Sequence, residues 1–423
     1  MSLVCFPFKV ENPDVLIHNV QVAAAHPRVR EVLCVGVEKE ATYRAIAAAA
    51  GEVHMKTGTR VELILQDRIG TKRPGKGDGM NTALRYFLDE TDEERIHFYD
   101  ADITSFNADW ITKAEEAADF DFGVVRHYFP RARTDAMITW MITRTGFALL
   151  WPRSGLSWIE QPLGGELLFT RDVVETLVKD ERVQAQSDWG IDTLYTFCCV
   201  QHGFRMYETY MPQGKAHKLY GKLTDLRTML VECFTAVQSL KGEPVPGNGT
   251  HRVEHPDVVP DEITEKLGFD LEGTLGLLSE RWTPRQEELL ALFPTHVRHE
   301  MPGNKQHPRF AFMDEMDWMD SYGVLLEHFV LGDDDWEELL FKLWITRVLN
   351  YATTVAIRGY DYSQRYLHAM VRRFRLQAGL DGLSKQWTKA AKPKPRSRKI
   401  NAAKTRSAAE KPTDDQTTDI VSE

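Results

Sequence analysis

The chain is sparing with cysteine, and its cysteines are not arranged to work together. Cys5, Cys34, Cys198, Cys199 and Cys233 form neither CxxC pairs nor a regular framework in 423 residues. A disulfide-stapled scaffold is therefore excluded, and Cys5 and Cys34, inside apolar strand patterns, read as reduced, buried thiols. Glycine is missing from the first strand-to-helix turn, Phe6-Pro7-Phe8-Lys9-Val10-Glu11-Asn12. That absence excludes both the Rossmann dinucleotide fingerprint and the Gly-rich loop of P-loop enzymes. No apolar run reaches the roughly 18 residues of a membrane span. The N-terminus MSLVCFPF has no charged n-region of a secretory signal. The expectation is a cytoplasmic protein without a membrane partner.

Charge is unevenly spread. Residues 385–411 hold ten Lys/Arg against one Glu, and residues 412–423 hold four acids, which leaves the body at about −15 out of a net −10. So acidic a body repels a polyanion, so no nucleic-acid partner is expected. The tail of Ala, Ser, Pro and Lys lacks periodicity and reads as solvated and disordered. Hydrophobic content of 43% and aromatic content of 10% allow a substantial core.

Strand and helix patterns alternate from the start. Residues 3–8, 31–37 and 61–66 read as strands, and 12–25 and 39–50 as helices. A helix over 81–88 precedes a strand around Ile96 and Phe98. This order predicts an α/β fold with a doubly wound, mainly parallel sheet. Further on, 108–118 reads as a helix, 122–128 as a strand and 135–150 as a long apolar stretch. A loop at Gly164-Gly165-Glu166 leads into a strand, Ser187 is a candidate cap for a helix over 188–201, and 205–210 reads as a last strand. Residues 241–260 are rich in Pro and Gly and read as a linker. Beyond them the patterns are helical, including a capping signature at Thr283-Pro284-Arg285-Gln286, helices over 336–357 and 365–376, and core aromatics Trp318, Trp336 and Trp344. The expected division is a sheet domain over 1–240, the linker, a helical domain over 261–382 and the tail over 383–423.

Three stretches carry chemistry. The strand around Ile96 and Phe98 ends in Asp100-Ala101-Asp102. If the strand continued, this spacing would set both carboxylates on one face. Two acids side by side call for a cation or for sugar hydroxyls, although an Asp cap at a turn explains them as well. The segment 66–83 has four glycines and four basic residues ahead of a helix. It has the composition of a flexible anion-binding loop with Lys76 as a point charge, and equally of a mobile surface loop. His217 lies in a Gly-bounded loop, which favours a ligand or surface role over a core one.

Taken in that order, Asp100-Ala101-Asp102, Gly75-Lys76-Gly77 with Asn81-Thr82-Ala83, and His217 resemble a nucleotide-sugar glycosyltransferase of the GT-A fold. Over residues 1–380 the chain resembles the mannosylglycerate synthase family. The resemblance implies a retaining transfer of mannose from GDP-mannose to D-glycerate, giving the compatible solute 2-O-α-D-mannosylglycerate. It implies that Pro7, Phe8, Lys9, Glu11, Val35 and Gly36 hold guanosine, with Gln66 at the base edge. Lys76, Asp100 and Ala101 would meet the donor, Gly165 and Asp192 the mannose, and Leu163 its anomeric face. Lys76, Asp100 and Asp192 are the implied catalytic residues, and Asp102 and His217 the implied metal ligands. Arg131, Ala136, Met137, Ile138 and Thr139 would bind the glycerate carboxylate, with Tyr220 closing over it on a mobile loop.

An oxygen-plus-imidazole ligand pair suits Mn²⁺, tolerates Mg²⁺ and does not firmly exclude Ca²⁺. A fork-shaped Arg131 suits a carboxylate better than a lysine does. Lactate and glycolate, which also pair a carboxylate with a hydroxyl, are expected as further acceptors, and the apolar C-terminal helices allow a homo-oligomer. A sugar-nucleotide pyrophosphorylase would need a Gly-rich, Arg-bearing loop after the first strand, and residues 6–12 lack one. A glycosyltransferase with another small acceptor stays open, as does a non-catalytic sugar-nucleotide sensor.

Overall fold

The computed structural model describes residues 1–216, 223–247, 250–254, 271–279, 282–301 and 312–381. Its frame is an eight-stranded sheet in the order β3-β2-β1-β4-β6-β5-β7-β8. The strands are β1 (Ser2–Phe8), β2 (Val29–Gly36), β3 (Arg60–Leu65), β4 (Arg95–Phe98), β5 (Val124–Tyr128), β6 (Leu167–Thr170), β7 (Met206–Tyr210) and β8 (His251–Val253). Strands β1 to β4 pair in parallel, as do β5, β7 and β8; β6 runs antiparallel between β4 and β5. The mainly parallel, doubly wound sheet of the GT-A expectation is therefore present. β1 is buried on both faces, the usual state of a central parallel strand, which explains its unbroken apolar run.

Helices cover the sheet: α1 (Pro13–Ala24), α2 (Ala41–Thr57), α3 (Lys76–Glu90), α4 (Ala108–Ala118), α5 (Thr145–Leu150), α6 (Arg171–Lys179), α7 (Glu181–Ala185), α8 (Ile191–Gln201) and α9 (Leu223–Ser239). The C-terminal part is helical, with α10 (Leu271–Ser279), α11 (Pro284–Leu290), α12 (Thr295–Glu300), α13 (Glu315–His328), α14 (Asp334–Thr354) and α15 (Tyr360–Asp381). Asn12 caps α1 by accepting from Asp14 N–H, with Pro13 first in the helix. Thr283 and Gln286 form the expected capping box on α11. Trp318, Trp336 and Trp344 are buried, and all five cysteines are free and buried. Burial pushes the Cys34 thiol up to about 12, so it stays protonated. Among the described residues no helix is long and apolar enough to cross a membrane.

One core joins the sheet to the C-terminal helices, running from Leu3 on β1 through the 137–151 segment to Ala378 on α15. At the joint, Thr139–Arg144 forms a wide, π-type turn leading into α5. Trp318 Nε1 donates to Met141 O at 2.9 Å, and Tyr322 Oη to Ile142 O at 2.9 Å. These donors from α13 tie the widened turn to the C-terminal helices. The segment 241–260, expected as a linker, contributes β8, which pairs with β7 from Met206↔His251 to Glu208↔Val253. Composition hid this strand because three residues between Pro/Gly stretches show no alternation.

Under β4 lies a buried polar cluster. Glu115, 2% exposed, accepts from His97 Nε2 at 2.7 Å, Arg95 NH1 at 2.5 Å and Ser2 Oγ. Burial alone would raise the Glu115 carboxyl, but His97, Ser2 and Arg95 hold it below the usual range. A depressed carboxyl contributes stability above its unfolded value and loses it as pH falls through the folded one. Glu115→Gln is therefore expected to cost about 3–5 kcal/mol near neutral pH. The difference from wild type should shrink in acid, as urea unfolding at a series of pH values would measure.

Candidate active site

The parallel strands end on one side, where ligand crevices of open α/β sheets form. Pro7 and Phe8 close β1, Val35 and Gly36 close β2, Gln66 follows β3, and Asp100 lies two residues beyond β4. The Phe8 ring lies against Gly36 and Tyr43, so a Cβ at 36 would fall 2.8 Å from Phe8 Cζ. Lys9 is exposed and Glu11 half-buried on the turn that follows.

Two expectations need correction here. Strand pairing stops at Phe98, and Ala101 and Asp102 lie in a turn, so strand alternation does not place the two carboxylates. The cause is Asn19 on α1, whose Nδ2 donates to Ala101 O (3.4 Å) and Ile103 O (3.0 Å) and curls the chain. The Gly-rich stretch before residue 81 is not a loose loop throughout, because α3 begins at Lys76. A Cβ on Gly77 would lie 2.3 Å from Gln186 O, so the glycine is there for close packing. Asp78 in the same turn fixes the preceding chain: its Oδ1 accepts from Ile69 N (3.1 Å) and Gly70 N (2.8 Å). Asn81 is structural, donating to Val183 O at 2.9 Å and accepting from Tyr195 Oη.

The antiparallel register pairs Phe98 with Leu167, and continuing it sets Asp100 against Gly165. A Cβ at 165 would meet Lys76 Nζ at 2.6 Å and Asp100 Oδ1 at 2.7 Å. Glycine is what lets these three approach. Around them runs an alternating chain of charges. Lys76 Nζ, at the start of α3, donates to Asp192 Oδ2 near the start of α8 (2.9 Å) and lies 3.6 Å from Asp100 Oδ1. Lys215 Nζ, after β7, lies 2.5 Å from Asp100 Oδ2 and 2.6 Å from Glu166 Oε1. The helix carrying Asp192 is capped by Gly190, not Ser187; Asp188 turns the chain there by accepting from Gly190 N at 2.8 Å.

Burial and pairing set the protonation states. Burial would raise Asp100, but Lys215 and Lys76 hold it well below the carboxylate range. Burial raises Asp192 and Glu166, against the pull of Lys76 and Lys215 respectively. It would lower both lysines, yet the surrounding carboxylates raise them above the ordinary ammonium value. Asp192 Oδ1 and Glu166 Oε2 are buried without a hydrogen-bond partner among the described residues. Sequence reasoning assembled Lys76, Asp100, Gly165 and Asp192 but left out Lys215 and named no role for Glu166. The available signal was position: Glu166 follows the Gly-Gly pair, and Lys215 stands two residues before His217.

Asp102 is half-buried on the turn after β4, and His217 and Tyr220 lie outside the described residues. Ala216, which precedes His217, is tied to that turn. Its carbonyl accepts from Thr104 N (2.8 Å) and Thr104 Oγ1 (3.0 Å), and its N–H donates to Ser105 Oγ (3.0 Å). The chain entering His217 is thus bonded two residues from Asp102.

Among the residues expected to bind the acceptor, Arg131 NH1 is 2.8 Å from Asp135 Oδ2, and its guanidinium lies over the Phe129 ring at 4.7 Å. Its Nε is buried without a hydrogen-bond partner among the described residues. Ala136 has φ 58°, and its N–H bonds Asp135 Oδ1 at 2.6 Å. Met137 and Ile138 enter the core, and buried Thr139 begins the wide turn. Leu163 is partly buried against the same core.

Similarity to known proteins follows this layout. Residues 2–239 match the family "Mannosylglycerate synthase, GT domain", and residues 263–371 the "Mannosylglycerate synthase C-terminal domain". The mannosylglycerate synthase of Rhodothermus marinus is 67% identical over 381 residues, covering 90% of this chain and 96% of that protein. That of Selaginella moellendorffii is 56% identical over 374 residues, covering 88% and 89%. A solved glucosyl-3-phosphoglycerate synthase from Mycobacterium tuberculosis, in complex with Mn²⁺, UDP-glucose and phosphoglyceric acid, has 16% identity and a TM-score of 0.44, covering 56% of this chain and 79% of that one. By its two matched domains and its identity to these synthases, the chain belongs to the mannosylglycerate synthase family and is a glycosyltransferase.

Proposed function

We propose that the chain transfers mannose from GDP-mannose to the 2-hydroxyl of D-glycerate with retention, releasing GDP and 2-O-α-D-mannosylglycerate. The observation that carries this reading is the Asp192–Lys76–Asp100–Lys215–Glu166 network, buried except at the half-exposed Asp100, at the carboxyl ends of the parallel strands. Sugar hydroxyls need acceptors in a dry site, and Asp100 and Asp192 supply them in orientations already fixed by ion pairs. Lys215 and Lys76 hold the Asp100 carboxyl down, Lys76 pulls against the burial that raises Asp192, and both lysines add positive charge beside the diphosphate. Pro7, Phe8, Lys9, Glu11, Val35, Gly36 and Gln66 take the guanosine, and Arg131 with the 136–139 segment takes the acceptor carboxylate. When bound, a divalent cation held by Asp102 and His217 would offset charge developing on the departing diphosphate.

Retention usually calls for a carboxylate nucleophile beneath the sugar. Asp192 and Glu166 are poor candidates, since each carboxylate's charge is already drawn to a lysine. Leu163, the residue read as nearest the anomeric face, cannot attack. A same-face displacement fits better, with the departing phosphate accepting the acceptor's proton.

One set of measurements tests this. GDP release from GDP-mannose should require D-glycerate, stop on chelation of divalent metal, and leave the mass of the intact protein unchanged. His217→Ala should weaken metal affinity in a titration as well as the rate. GDP release that ignores glycerate, or a mannosyl adduct on Asp192 or Glu166, would overturn the assignment.

A further inference from the structure

The segment 160–166 carries Leu163, Gly165 and Glu166 into the site, yet it has no regular structure of its own. Two charged side chains on neighbouring strands hold it. Arg126 on β5 and Glu208 on β7 are register partners in the parallel pair, and both are 0% exposed. Arg126 NH1 donates to Gln161 O and to Gly164 O, each at 3.1 Å. Glu208 Oε1 accepts from Glu160 N at 2.8 Å and Gln161 N at 3.2 Å. The loop is thus held by its carbonyls from one strand and by its N–H groups from the next.

Further bonds complete the hold. Thr196 Oγ1 donates to Pro162 O at 2.8 Å from α8, one turn beyond Asp192. His127 N donates to Glu166 O at 3.1 Å. The second oxygen of Glu208 takes His251 Nε2 at 2.8 Å, so the edge strand β8 supports the arrangement from outside.

We propose that Arg126 and Glu208 are positioning residues, which set the 160–166 loop at the height where Gly165 fits between Lys76 and Asp100 and Glu166 meets Lys215. Buried charges are a costly way to stabilise a core, and apolar residues of similar size commonly serve as well or better. Burial lowers the Arg126 guanidinium below its ordinary value, and its Nε and NH2 find no hydrogen-bond partner among the described residues. Such a cost is consistent with a demand for geometry rather than stability. The gap left for a Cβ at residue 165 is under 3 Å on two sides, so a loop shift of about an ångström would disturb the site. The catalytic part of this inference rests on the mannosyl-transfer reading; the mechanical part does not.

The test compares wild type with Glu208→Gln, Glu208→Leu and Arg126→Met by kinetics, GDP calorimetry and amide hydrogen exchange. Glu208→Gln keeps an oxygen for both N–H groups and should retain a near wild-type kcat. Glu208→Leu and Arg126→Met should lose roughly 100-fold in kcat, with GDP affinity unchanged and faster exchange at the Glu160 and Gln161 amides. If Glu208→Leu does not fold, Arg126→Met and the Gln rescue carry the comparison. Unchanged exchange at 160–161 would overturn the inference whatever the activity, as would GDP affinity falling in step with kcat. A wild-type enzyme that makes no mannosylglycerate would sink the proposed function instead, while the exchange comparison would still decide the loop's support.

Discussion

Lys76→Met should lose both turnover and stability, and the stability loss should be pH-dependent. The Lys76 ammonium is the partner of Asp192, at 2.9 Å, and stands 3.6 Å from Asp100 and 5.6 Å from the Trp189 ring. Asp192 is 2% exposed, and its other oxygen already lacks a partner. Methionine keeps the length of the side chain and removes the charge, which leaves Asp192 buried and uncompensated. Breaking a buried pair in this way costs about 3–5 kcal/mol.

The sign with pH follows from the partner. Burial already raises the Asp192 carboxyl and Lys76 pulls it down, so the variant's carboxyl should rise further. Protonating it removes the orphaned charge, so the gap between variant and wild type narrows as pH falls and is widest near neutrality. In wild type, Lys76 is raised by Asp100 and Asp192 against its own burial, so its contribution is lost only as pH rises through that raised value. Turnover should fall by roughly 100-fold or more, as for loss of a preorganised charge at a leaving group. Denaturant midpoints for both proteins between pH 5 and pH 8 give the comparison. A gap that stays constant or widens in acid would place the important partner of Lys76 elsewhere.

How far the fold could be read from sequence depended on the range of the forces involved. Alternating apolar strands and helices, the Asn12-Pro13 start of α1 and the Thr283/Gln286 capping box are local features; both caps are where they were expected, while α2 runs on to Thr57 and α3 begins earlier, at Lys76. Strand order is set by pairings far apart in sequence, so the insertion of antiparallel β6 between β4 and β5 could not be read off. The Gly75–Gly79 stretch looked flexible because composition does not report what packs against it: Gln186 and Ser187 lie against Gly77, and Gln66 and Pro7 against Gly79. Asp100 was legible as an acid at a strand end. Its two lysine partners come from α3 and from the loop after β7, and only the folded sheet brings these together. The support of the 160–166 loop was invisible for the same reason, since Arg126 and Glu208 are 82 residues apart in the numbering and meet only as register partners.

Arg131→Ala tests the acceptor side, where the resemblance reaches furthest beyond geometry. The simpler account is that Arg131 forms a partly exposed i,i+4 ion pair with Asp135, of the kind worth about 0.3–0.5 kcal/mol. Against it stand the stacking of the guanidinium on Phe129 and an Nε with no hydrogen-bond partner among the described residues, which leave a preorganised fork with a donor to spare. Asp135 is also committed to the backbone, since its Oδ1 takes the Ala136 N–H at the φ 58° turn that opens the helical segment. The first N–H groups of that segment, at Met137 to Thr139, have no partner within the helix and favour an anion. If glycerate docks there, losing the bidentate contact should cost on the order of 2–5 kcal/mol. That corresponds to a loss of about 30-fold to several thousand-fold in kcat/KM for glycerate. GDP-mannose affinity should hardly change, because none of the recorded contacts of Arg131 reaches Lys76, Asp100 or Asp192. Arg131→Lys should recover little, because a single ammonium cannot reproduce the fork. Acceptors with a carboxylate beside a hydroxyl, such as lactate and glycolate, should react with wild type, and glycerol should not. Donor affinity and acceptor kinetics, measured separately for Arg131→Ala, decide the matter: intact glycerate kinetics, or glycerol serving as well as glycerate, would move the carboxylate site away from Arg131.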